Sequence, residues 1–78
     1  MKTFNAIIKA TLGDLLEILD ARTIVSIFID KGDYESFIYS STPVYELLSS
    51  SSIKDYLKYE VIGINKTLGR TSILIKEV

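Results

Sequence analysis

The stretch Thr23-Ile24-Val25-Ser26-Ile27-Phe28-Ile29-Asp30 constrains the fold of this chain more than any other. It is dense in β-branched residues, and both of its alternating sets are apolar. Val25, Ile27 and Ile29 form one set; Ile24 and Phe28, with Ser26, form the other. A strand that must bury both faces belongs at the centre of a sheet. Lys31-Gly32-Asp33 is turn chemistry, with Gly32 free to take positive φ. The segment from Tyr34 to Ser40 then returns as the second strand of a hairpin.

A helix is expected just before this strand. Thr11-Leu12-Gly13-Asp14 has the form of a capping box, in which the Thr11 hydroxyl accepts from the Asp14 amide and the Asp14 carboxylate reaches back. Leu12, Leu15, Leu16 and Leu19 follow at helical spacing and define one apolar face. Thr42-Pro43 marks a second start, with Thr42 as N-cap and Pro43 in the first helical position; Val44, Leu47 and Leu48 are its apolar face. The run Ser49 to Ser52 breaks that helix, because serine hydroxyls compete for the local backbone. Ser52-Ile53-Lys54-Asp55 has the form of another capping box.

Tyr59 to Asn65 and Thr71 to Val78 read as two further strands joined by the loop Lys66 to Arg70. Near the start, Phe4, Ala6, Ile8 and Ala10 alternate with Asn5, Ile7 and Lys9; for residues 2–10 both a strand and a helix stay open. The expected fold is a single α+β domain over residues 1–78. Its order is β-α-β-β-α-β-β: a mostly antiparallel sheet of four to five strands, with two or three short helices packed on one face.

Composition narrows the chemistry. The 78 residues include no cysteine and no histidine, which removes disulfides, thiolate nucleophiles and the commonest general base and metal ligand. Nine serines have no histidine to activate them, so a Ser-His-Asp triad is impossible. The four glycines are isolated and form no phosphate-cradling loop. The remaining carboxylates have no visible neighbour that would tune them for acid–base work. The expectation is a protein that is not an enzyme and holds no cofactor or metal. No apolar run is long enough to span a bilayer as a helix, and a cytoplasmic location is expected.

Binding is what remains. Five tyrosines are unusual for this length, and tyrosine suits interfaces because it joins a large apolar ring to a polar tip. The candidate partner-binding patch is Asp30, Asp33, Tyr34, Glu35 and Tyr39, around the first hairpin. An alternative patch for nucleic acid is Lys54, Tyr56, Lys58, Lys66 and Arg70, where basic and aromatic residues interleave. A net charge of -1 gives little phosphate-neutralising drive, so nucleic acid is the lesser expectation. Low net charge with 47% hydrophobic residues also favours self-association, as a homodimer or other homo-oligomer.

Three blocks taken together resemble a known group: Thr11-Leu12-Gly13-Asp14-Leu15-Leu16-Glu17-Ile18-Leu19, then Thr23 to Asp30, then Tyr59-Glu60-Val61-Ile62-Gly63-Ile64 with Ile73-Leu74-Ile75. This order is similar to small, uncharacterised proteins encoded by bacteriophages and mobile elements, which pair such a helix with hydrophobic strands. The resemblance carries over no catalytic or ligand-binding residue. It implies a non-enzymatic inhibitor or modulator that binds a larger host protein complex, in the manner of anti-CRISPR and other anti-defence proteins. The alternatives are a self-assembling structural or accessory phage protein and a weak nucleic-acid-binding module.

Overall fold

The structure, a computed structural model, describes residues 10–67 and 69–77. Its elements in chain order are α1 (Leu12–Ile18), β1 (Ile24–Asp30), β2 (Glu35–Pro43), α2 (Val44–Ser49), a short 3-10 helix (Ser51–Asp55), β3 (Glu60–Thr67) and β4 (Arg70–Lys76). The fold is α+β. One four-stranded sheet has the order β2-β1-β4-β3. β1 and β2 form an antiparallel hairpin, as do β3 and β4; the central pair β1 and β4 runs parallel. Residues 2–10, for which both a strand and a helix were open, lie outside the described residues except for Ala10.

β1 and β4 occupy the centre because both must cover two faces. Val25, Ile27 and Ile29 on β1 and Ile73 and Ile75 on β4 are buried, and the residues between them are half-covered. Leu12, Leu15 and Leu16 of α1, Val44 and Leu47 of α2, and Ile53 of the 3-10 helix close over those buried side chains to make one core. Among the described residues, every buried side-chain polar atom has a hydrogen-bond partner, as a core this small requires.

The capping box of α1 forms as the sequence implies. The Asp14 amide donates to Thr11 Oγ1 at 3.1 Å, and the Thr11 amide donates to Asp14 Oδ2 at 3.3 Å. Leu19 falls outside the helix, as its C-cap in extended backbone, yet still packs on the core. Gly13 brings α1 against the chain before β3, where its amide donates to the Leu57 carbonyl at 2.8 Å.

The second helix start differs from expectation. Thr42 and Pro43 are the last residues of β2, held there by pairing with Val25 and Ile24. Pro43 takes the cap position and Val44 is the first helical residue. The Thr42 hydroxyl does not cap; it donates back to the Ser40 carbonyl at 2.9 Å. The free amides at the start of α2 are met by the loop before β1: Val44 donates to the Thr23 carbonyl at 2.9 Å and Tyr45 to that of Ala21 at 3.0 Å. Strand pairing has outcompeted the local cap.

The serine run ends α2 as expected. Ser49 Oγ donates back to the carbonyls of Tyr45 and Glu46 at 3.2 and 3.0 Å. The second capping box does not form. The 3-10 helix is preceded by Ser50 with no side-chain cap, because the Ser52 hydroxyl is drawn instead to the Tyr39 hydroxyl, with Ser50 Oγ 3.0 Å away.

β2 is irregular in two places. Between Phe37 and Tyr39 it gains an extra residue opposite β1, so Ile38 and Tyr39 both pack against the core. A second irregularity lies opposite Ser26, where Ser41 adopts φ 42° and donates its amide to Ser26 Oγ at 3.0 Å. None of the described helices is long and apolar enough to cross a membrane.

Candidate functional site: the open face of the sheet

The helices cover one face of the sheet. The other face is built by the alternate set of side chains, and strand register arranges them in rows across the strands. Phe37 of β2 pairs with Phe28 of β1, Phe28 with Leu74 of β4, and Leu74 with Gly63 of β3. Ile62 sits beside Gly63 at the irregularity in β3. The result is one apolar row that crosses all four strands. Its ends are the most open: Phe37 is 53% exposed and Ile62 42%. The rings of Phe28 and Phe37 stack with centroids 4.7 Å apart and an interplanar angle of 27°.

The rows on either side are polar and unlike each other. Toward the first hairpin lie Asp30 paired with Glu35, and Lys76 paired with Glu60. On the opposite side Ser26, Ser72 and Asn65 stand in line. Between the rows is a shallow hollow lined by Phe28, Glu35, Gly63, Asn65, Ser72 and Leu74. It exists because Gly63 has no side chain: a Cβ there would stand 3.6 Å from the Leu74 Cβ, an ordinary contact, so larger residues fit and the glycine leaves space.

The structure divides the candidate partner-binding residues. Asp30 and Glu35 lie opposite each other at the acidic edge of this face. The Asp30 carboxylate accepts from the Gly32 amide at 2.8 Å, and the Lys31 amide donates to the Tyr34 carbonyl at 2.8 Å, which together shape the turn. Asp33 and Tyr34 are exposed in that turn, Tyr34 at 63%. Tyr39 is on the other side of the sheet, where its hydroxyl meets Ser52. It does not join the other four.

The alternative nucleic-acid residues are dispersed. Lys54 is exposed on the 3-10 helix and Lys58 in the turn before β3. Lys66 and Arg70 are at the far end of the β3–β4 hairpin, roughly 20 Å of strand away from Lys58. Tyr56 packs edge-on against Tyr59, with centroids 5.3 Å apart, and both rings lie against the core. Burial pushes the Tyr59 hydroxyl above its ordinary pKa; Glu77, Tyr56 and Asp55 add to the effect. Among the described residues no three acidic side chains come together as a metal site.

Sequence reading named Phe28 as a core strand residue and missed Phe37 and Ile62 as surface features. The available signal was that the central strand is apolar on both sides while the expected helices cover only one.

Comparison with known proteins returned no matching family, no matching curated protein and no matching solved structure.

Proposed function

We propose that this chain is a non-enzymatic protein-binding module that engages its partner through the open face of its sheet. The observation that carries this is the row Phe37, Phe28, Leu74 and Ile62, whose two ends are exposed on a face that no described element covers. Contiguous apolar surface rimmed by polar residues is how protein interaction sites present themselves. Asp30 and Glu35 belong to this surface, and Asp33 and Tyr34 extend it at the hairpin turn. The resemblance to phage and mobile-element proteins supports a more specific setting, inhibition or modulation of a larger host complex.

Paired affinity captures from lysate of the encoding host's cells test the reading, using the wild-type chain and the Phe37→Ser variant. A stoichiometric protein partner held by the wild type and lost by the variant is the expected result. Recovery of no partner, or equal recovery by both chains, sinks it.

A further inference from the structure

We infer that the occupant of the open face is an amphipathic helix of the partner protein, with basic residues flanking its apolar stripe. This rests on the reading of that face as a protein-binding surface, and two features carry it further.

The first is spacing. The apolar row advances one strand at a time, about 4.8 Å per step and roughly 14 Å from Phe37 to Ile62. An α-helix returns to the same face about every 5.4 Å, so three turns laid along the row set one apolar side chain near each strand.

The second is charge. The edge toward the first hairpin carries Asp30, Asp33, Glu35 and Glu60 against Lys31 and Lys76. On the other side the neighbouring row, Ser26, Ser72 and Asn65, is uncharged, and Arg70 lies beyond it. A lysine or arginine beside the partner's apolar stripe would lay its stem over the Phe37 ring and bring its charged end to Glu35. An acidic helix would meet repulsion at the same place.

The probes are synthetic amphipathic helical peptides of about eighteen residues, long enough to form helix. One has a leucine stripe flanked by lysine; the other replaces each lysine with glutamate. Binding is followed by fluorescence anisotropy of the labelled peptide, and the site by amide chemical shifts of the protein. The lysine peptide is expected to bind and to shift Phe28, Phe37 and Leu74. Its affinity is expected to fall about tenfold or more with Phe37→Ser, and separately with Glu35→Lys.

Equal binding of the glutamate peptide overturns the basic helix while leaving the binding face intact. Binding of neither peptide to a folded protein overturns the helical occupant, and the paired captures then judge the face on their own. Concentration-dependent dimerisation abolished by Phe37→Ser names a second copy as the occupant and overturns the inference.

Discussion

Phe37 stacks on Phe28 at 4.7 Å, yet the two rings do different work: Phe28 is half-covered between its strand neighbours, and Phe37 is more than half open to solvent. Replacing Phe37 with serine removes an aromatic pair worth about 0.5–1.5 kcal/mol and the covered half of an apolar ring, roughly 1 kcal/mol more. Urea unfolding of Phe37→Ser is therefore expected to show a loss of about 1.5–2.5 kcal/mol. A loss of about 3 kcal/mol or more would mean that Phe37 is structural, and that its exposure has no bearing on binding.

Gly13 has a steric reason to lack a side chain. A Cβ there would lie 3.2 Å from the Leu57 carbonyl oxygen, the same atom that accepts the Gly13 amide. That oxygen cannot retreat without lengthening the hydrogen bond that joins α1 to the start of β3. Gly13→Val is expected to cost about 1–3 kcal/mol, as overpacking does. Thermal denaturation checks this, and an unchanged melting temperature would show that the contact yields freely.

The two threonines that resemble N-caps are expected to respond differently to alanine. Thr11 makes the capping box and its loss should cost about 1 kcal/mol. Thr42 caps nothing and donates only to the Ser40 carbonyl, so Thr42→Ala should change stability by about 0.5 kcal/mol or less. Chemical denaturation of the two variants side by side reads the difference. Equal losses would show that Thr42 supports α2 after all.

Ser41 is a non-glycine residue at φ 42°. Left-handed backbone costs an L-residue roughly 1–2 kcal/mol, and glycine escapes most of that. Ser41→Gly is expected to raise stability by about 0.5–1 kcal/mol, because glycine also gives up some freedom on folding. Ser41→Val should lower it. The reverse order in unfolding midpoints would place the backbone outside the left-handed region.

The helix start at Thr11, the hairpin turn at Gly32 and the break in the serine run were legible from sequence, because each depends on residues within three or four positions of one another. The end of β2 was not. Thr42-Pro43 is a sound helix start in isolation, and only the partner strand, with Ile24 and Val25 opposite, keeps those two residues extended. Tyr39 was misleading for a related reason. Strict alternation from Glu35 would put it on the face that Phe37 shares, but the extra residue at Ile38 turns it to the helix side, where Ser52 meets its hydroxyl.

Local patterning in the sequence determined the α+β class, the two hairpins, the leucine face of α1 and a central strand apolar on both sides. Tertiary structure decided that β4 lies parallel beside β1, because that pairing joins segments more than forty residues apart in sequence and no local pattern encodes it. It also decided the candidate site. Once β1 and β4 meet, register alone sets Phe37, Phe28, Leu74 and Gly63 in one line, and the described helices, all on a single side, leave that line uncovered. Sequence chemistry pointed to binding; the surface for it emerges only when four strands are laid side by side.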